Sequence, residues 1–226
     1  MLAHRLLALD TTTPACSVAA GETSPQAWRW EHLPQGHSDR ILGMIEAVLA
    51  ELGWARSSLD AVACCRGPGS FTGVRISTGV AQGLALGLGV PVVPVSTLAT
   101  LAASAIDAGE GHVLAALDAR KGEVYWAAFE PGPSPLTAER VTPPSAVVAP
   151  IVEGAGWCGV GTGFSAYSEA LRAAVPAIAR IHDRELPDAR YCWSIARGVL
   201  ASGTPAEPGE AVPVYLRDNV ADKPRQ

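Results

Sequence analysis

The sequence predicts an α/β protein built as two lobes, and three observations carry that reading. Short apolar runs of strand length alternate with longer helical periods through the first hundred residues. The span from Ile76 to Ile106 holds no Lys, Arg, Asp or Glu, yet prolines and glycines divide it into helix, turn, strand and helix. A strand–polar turn–strand unit opens the chain, and a second one opens again near Val113, which hints at a duplicated architecture. The 226 residues, 48% of them hydrophobic, with a mean hydropathy of +0.20, suffice for two small lobes with a real core.

Element by element, Arg5–Asp10 reads as a buried strand and Asp10-Thr11-Thr12-Thr13-Pro14 as a polar turn. Ala15–Ala20 and Ala27–Glu31 complete an antiparallel meander. A helix is expected from Ser38, a residue type that caps a first turn. Ile41, Ile45, Val48 and Leu52 share its face, with Leu42 and Leu49 widening the arc until it can contact two things at once. Asp60–Arg66 is the next strand, Gly67–Gly69 a tight turn, and Ser70–Leu88 a helix with Ser70 as its cap. Val90–Val95 and a helix from Ser96 follow.

A surface helix carries charge on its outer face. The Ser70–Leu88 helix, which carries no charge from Ile76 onward, must therefore be covered on nearly every side, by its own domain or by a partner. Its Gly79, Gly83 and Gly87 recur every fourth residue, and each costs roughly 1 kcal/mol against alanine. Such a stripe makes sense where another backbone comes close, either the sheet beneath or a partner helix, with the sheet favoured.

The second lobe is set to begin near Asp107–Gly111, giving units 1–104 and 105–226, the final segment packing back on the first lobe. Val113–Leu117 and Glu123–Phe129 are strands around the polar connection Asp118–Gly122. Pro131–Pro150 is a loose excursion rich in proline and serine. Trp157–Val160 is a strand, Ser165–Ala174 and Ala189–Ala201 are helical, Ala201–Gly209 is a linker, and Pro213–Arg217 is an extended segment.

Composition excludes several functions. A net charge of −5 argues against unaided binding of nucleic acid, which needs a basic footprint. Cys16, Cys64, Cys65, Cys158 and Cys192 form no C-x-x-C pair and read as small buried residues in a reducing compartment. The N-terminal apolar run stops at Asp10, too early for a signal peptide, and the broken uncharged stretch makes a membrane span improbable. The histidines never fall at i, i+4 on a helix, so metal chemistry is not expected, and His37 reads as a turn residue.

The Arg66–Arg75 loop lacks the lysine of a P-loop and the glycine spacing of a dinucleotide site, and Pro68 rules out a nucleophile elbow at Ser70. It reads as a backbone device, with Arg66 and Arg75 placed to reach a carboxylate on this chain or on another subunit. The Asp10-Thr11-Thr12 turn offers oxygens to a phosphate or metal, or simply satisfies a hairpin.

In order along the chain, Leu7-Ala-Leu-Asp-Thr-Thr-Thr13, Ala15-Cys-Ser-Val-Ala19, His37, Arg66-Gly-Pro-Gly-Ser-Phe-Thr-Gly-Val-Arg-Ile76 and Gln82-Gly-Leu-Ala85 resemble one family. Ser96-Thr-Leu98, Asp118-Ala-Arg120, Glu123-Val-Tyr125, Val160-Gly-Thr-Gly163 and Pro213-Val-Tyr-Leu-Arg217 complete the likeness, which spares only about 131–153. It is the TsaB (YeaZ) family, the dimerisation subunit of the bacterial tRNA threonylcarbamoyladenosine synthase complex. One departure is Ser77-Thr78 after Ile76, where many relatives place glycine first.

The resemblance implies a two-lobed acetate/sugar kinase–actin-like fold, with mixed sheets and flanking helices, and a cytoplasmic, noncatalytic scaffold. Such a scaffold pairs with the related catalytic subunit TsaD, is joined by the ATPase TsaE, and forms a homodimer when alone. ATP and metal are used by those partners and not by this chain, and tRNA is met only through the complex. The product is threonylcarbamoyladenosine beside the anticodon of tRNAs reading codons that begin with A. Asp10, Thr11, Thr12 and Asp118 would be a degenerate nucleotide site.

The expected partner face comprises Arg40, Ile41, Met44, Ile45 and Val48 of the first helix, and Ser70, Phe71, Val74, Arg75, Thr78 and Gln82 of the second. Aspartate at Ile45 or Val74 is then expected to abolish pairing with the fold intact. The rival readings are an ATP-dependent kinase or ATPase of the same fold, using Asp10 and Asp118, and a metallopeptidase, which the histidine spacing disfavours.

Overall fold

Strands buried on both faces need covering elements on both sides, and the computed structural model, which describes residues 4–152, 156–182 and 185–217, supplies them twice. The first sheet has the order β3-β2-β1-β4-β5, from β1 (Leu6–Asp10), β2 (Ala15–Gly21), β3 (Pro25–His32), β4 (Ala61–Cys65) and β5 (Val92–Val95). Strand β1 pairs antiparallel with β2 and parallel with β4, and β4 pairs parallel with β5. The second sheet repeats this plan around β6 (His112–Arg120). Strand β7 (Glu123–Glu130) is antiparallel to it, β10 (Trp157–Val160) is parallel, and β11 (Ile178–Ile181) is parallel to β10. The duplication hinted at by the two strand–turn–strand openings is therefore a shared topology.

Helices α1 (His37–Leu52) and α2 (Phe71–Leu88) cover one face of the first sheet, packing on Leu7, Leu9, Cys16, Val18, Val62 and Cys64. Helix α5 (Ala189–Ser202) covers the other face, on Leu6, Ala8, Ala19, Ala61, Ala63 and Cys65. In the second lobe α3 (Thr97–Asp107) lies on one face of the sheet and α4 (Thr162–Ala174) on the other. Helices α3 and α5 pack together, with Ile195 reaching both cores, so they join the lobes. Cys64 and Cys65 point to opposite faces as their adjacency on a strand requires, and all five cysteines are buried and free.

Helix caps follow the sequence at two places and depart from it at a third. Ser70 accepts from the Gly73 amide and Ser96 from the Ala99 amide. Helix α1, however, starts one residue before Ser38, after Gly36 in the left-handed region (φ 86°). The Ser38 hydroxyl donates instead to Asp39. His37 heads the helix, and its Nε2–H donates to the Thr13 carbonyl at 2.9 Å, tying α1 to the first turn.

The stretch 131–150 is more ordered than its composition suggests. It contributes β8 (Ser134–Pro135) and β9 (Arg140–Thr142), both antiparallel to β7, and it buries Val147. The indole of Trp126 donates to the Thr142 hydroxyl, a partner outside the reach of local pattern. The 201–209 linker is likewise tied down, since Ala206 and Val92 exchange backbone hydrogen bonds of 2.8 and 2.9 Å. Strand β11, which sequence periodicity did not separate from its neighbours, completes the second sheet. Residues 218–226, assigned by sequence to the second lobe, lie outside the described residues.

Candidate functional site

The carboxyl ends of β1 and β6, with the starts of α1, α2 and α4, surround a cleft of about 420 Å³ between the lobes. Thr12, Thr13, His37, Ser70 and Phe71 line it from the first lobe; Asp118, Lys121 and Thr162 line it from the second. Strand ends that converge in this way are the usual site for ligands in α/β proteins.

The first turn is held by its own hydrogen bonds. Asp10 is fully buried and absent from the cleft wall. Its Oδ1 accepts from the Thr12 amide at 2.8 Å and the Thr12 hydroxyl at 2.7 Å, while no N–H or O–H reaches Oδ2. Burial raises its pKa from 3.8 to about 6, the bonds from Thr12 and the neighbouring Cys65 thiol opposing that rise and Asp188 adding to it. Thr11 gives its hydroxyl proton to the Gly73 carbonyl at 2.7 Å. Thr12 Oγ1 accepts from Thr97 at 3.0 Å. These groups organise the junction of the first turn with the starts of α2 and α3.

The glycine-rich loop is pressed onto that turn. The Ser70 amide donates to the Thr12 carbonyl at 2.7 Å, and a Cβ at Gly69 or Gly73 would collide with the Thr12 or Thr11 backbone. Close backbone approach is what these two glycines provide. Arg66, just before the loop, reaches Glu139 of the second lobe at 3.1 Å, and the same carboxylate accepts from the Ser96 hydroxyl. The carboxylate sought for Arg66 is thus on this chain. Arg75 finds none among the described residues; it stacks 3.4 Å from the Phe71 ring and 5.0 Å from Tyr215.

Asp118 stands at the end of β6 as Asp10 does at the end of β1. Its amide donates to Thr162 Oγ1, and its carboxylate accepts from the Arg120 amide and the Tyr167 hydroxyl. Of the four residues singled out by resemblance as a nucleotide site, Thr12 and Asp118 face the cleft. Asp10 and Thr11 lie behind its wall.

A different surface emerges on α1 and α2. Ile41, Met44, Ile45, Val48, Val74 and Thr78, named as partner residues from the sequence, are 0–3% exposed and packed inside the first lobe. The part of the α1 arc that carries Ile41, Ile45 and Val48 thus packs within its own lobe, while Leu42 at the edge of the arc stays in solvent. Arg40 is exposed and paired with Glu31, Ser70 caps α2 at the surface, and Gln82 is half-buried. Phe71 (53% exposed) and Arg75 do face outward.

With them stand Leu86 (76% exposed) on α2, which the sequence reading passed over, and Leu42 (55%) on α1, which it named only as widening the apolar arc. Gly79, Gly83 and Gly87 point outward as well, with nothing within 4 Å of a Cβ at any of them. The sheet is therefore not what the glycine stripe accommodates. The signal that could have found this face was the stripe itself, whose phase on the helix is opposite to that of the buried Val74, Ala81 and Ala85.

A family model described as TsaD, tRNA N6-adenosine threonylcarbamoyltransferase, matches residues 31–224. The chain is similar to the tRNA threonylcarbamoyladenosine biosynthesis protein TsaB of Escherichia coli K12, at 41% identity over 97% of both chains. It is also similar to TsaB of Haemophilus influenzae, at 36% identity over 96% of this chain and 95% of that one. A solved structure of YeaZ from Pseudomonas aeruginosa superposes with a TM-score of 0.87 at 41% identity, covering 94% of this chain and all of that one. The chain thus has the two-lobed acetate/sugar kinase–actin-like fold and belongs to the TsaB (YeaZ) family, sharing with the threonylcarbamoyltransferase a common family model.

Proposed function

We propose that the chain acts in the synthesis of N6-threonylcarbamoyladenosine in tRNA as a noncatalytic scaffold. In this reading it pairs with the catalytic subunit TsaD through the outer faces of α1 and α2, and the ATPase TsaE joins that pair. The names of its relatives supply the pathway. The observation that carries the docking role is the outward stripe of α2, where Phe71, Gly79, Gly83, Leu86 and Gly87 bring apolar and backbone surface to solvent with Arg75 as its only cation. Exposed apolar surface of this kind marks an interaction site, and outward glycines let a second helix approach closely. The tRNA would be met through the complex, consistent with the net charge of −5.

Noncatalytic status is supported by the commitments of the first turn. Asp10, Thr11 and Thr12 are engaged with one another, with α2 and with α3, and His37 is bonded to Thr13. Among the described residues no His, Cys, Asp or Glu cluster suits a metal ion. No helix among them is long and apolar enough to cross a membrane, and five reduced cysteines fit the cytoplasm proposed here. When the partner is missing, the same stripe would support a homodimer.

Size-exclusion light scattering of the chain mixed with TsaD from the same organism tests the proposal. A one-to-one species is expected to form at the expense of any homodimer. Leu86→Asp should weaken it roughly a hundredfold with unfolding unchanged, as loss of a central apolar anchor does. Two proteins that never associate would defeat the scaffold reading, and undiminished pairing of Leu86→Asp would move the interface elsewhere.

A further inference from the structure

Residues 211–217 run from one lobe to the other beside the cleft. Ala211 is anchored in the core beneath α1 and α2. The Val214 amide then donates to the Arg66 carbonyl at 2.9 Å. Tyr215 sets its ring 5.9 Å from that of Phe71, with the Arg75 guanidinium against both. Arg217 reaches the second lobe, donating to the Glu123 carboxylate and, at 3.5 Å, to the Arg120 carbonyl. Residues 214–217 form part of the cleft wall, together with Thr12, Thr13 and Asp118.

A segment without a sheet partner is held only by such point contacts, and each releases at low cost compared with the core. Among the described residues Arg217 is what ties this segment to the far lobe, through its pair with Glu123 and its longer bond to the Arg120 carbonyl. The pair is also sheltered, the two side chains being 19% and 32% exposed, so it is screened less than a surface pair. At the other end Tyr215 touches two residues of the outward face of α2. Anything that covers Phe71 and Arg75 also removes water from the contact that holds the strap down.

We propose that 211–217 is a strap closing the interlobe cleft, and that its closed position and partner docking on α2 stabilise each other through Tyr215, Phe71 and Arg75. The coupling rests on the docking reading above; the closing does not. By linkage, a partner that favours the closed strap is bound more tightly by a chain whose strap is closed.

The full-length chain carrying Thr13→Cys offers a probe, since Thr13 lines the cleft and the native cysteines are buried. Its rate of alkylation by iodoacetamide reads cleft access. Arg217→Glu, which sets two carboxylates together, should raise that rate roughly tenfold. Glu123→Arg combined with Arg217→Glu should restore the slow rate, and hydrogen exchange of residues 212–217 should follow the same order. A rate indifferent to Arg217→Glu overturns the strap.

For the coupling, saturating TsaD should slow alkylation of the Thr13→Cys chain, and should do so far less once Tyr215→Ser is added. Equal slowing in both overturns the coupling. If TsaD does not bind the unaltered chain, the docking reading and the coupling both fail, while the Arg217→Glu contrast still decides whether the strap closes the cleft.

Discussion

Helices α2 and α3 are cut from one uncharged stretch of sequence, yet the structure uses them oppositely. In α3 every residue from Thr97 to Ala105 is buried, because the helix is caught between the second sheet and α5. In α2 the face carrying Val74, Ser77, Ala81 and Ala85 is buried, and the opposite face carries glycines and Leu86 into solvent. A helix apolar all round has to be covered. For α3 the cover is this chain; for α2 it is what the docking proposal supplies. Absence of charge therefore does not say which neighbour covers a helix.

The sharpest way to break the comparison is to truncate one leucine on each helix. Leu101→Ala in α3 should cost about 2–5 kcal/mol in urea unfolding, as buried leucines do. Leu86→Ala in α2 should stay within about 0.5 kcal/mol. Comparable losses would mean that the outer face of α2 is also covered within the chain.

Next in size is the buried carboxylate beside the start of α3. The pKa of Asp10 is about 6 in the folded chain and 3.8 in the reference state, so between those values the folded chain holds a proton that the unfolded chain has released. The contribution of this group to stability therefore falls as pH rises through that window. Asp10→Asn, neutral throughout, should stabilise by about 3 kcal/mol at pH 7 and by about 1 kcal/mol at pH 4.5. A difference that does not vary with pH would mean that Asp10 ionises freely.

On the inner face of α2, Ser77 is buried with a hydroxyl that finds no partner among the described residues. Ser77→Ala should gain about 1 kcal/mol by removing an unsatisfied polar group, read as a higher denaturant midpoint at unchanged slope. The smallest change, Gly83→Ala, should gain up to about 1 kcal/mol from helix propensity because its Cβ meets nothing. The same methyl should weaken association with TsaD. A gain in stability with undiminished association would show that no backbone approaches that stripe.

Much of the fold was legible because its signals are local. Strand and helix limits follow apolar periodicity, Ser70 and Ser96 cap the helices that follow them, and the paired strand–turn–strand openings announced two sheets of one topology. Ser38 misled because its neighbour His37 had a better use for the first turn, a bond to Thr13 that no local pattern encodes. The region 131–150 misled because the partners of its short strands lie on β7. Of the residues expected on the partner face, Phe71 and Arg75 are exposed. Ile45 and Val74 were assigned to the partner but serve the core, so aspartate at either would unfold the lobe rather than test docking.

The sequence by itself determined the order of the elements other than β8, β9 and β11, the two-lobed α/β class, the family and the existence of a helix nearly without charge. Those properties depend on residue types and spacings a few positions apart. Only the tertiary structure decided which face of α2 is spent on the sheet, that Asp10 sits behind the cleft wall, and that the last described residues bridge the lobes. These depend on contacts across dozens to nearly two hundred positions, such as Trp193 with the Leu6 carbonyl or Arg217 with Glu123. A helical stripe has a phase relative to its own axis; packing alone gives it a direction in the molecule.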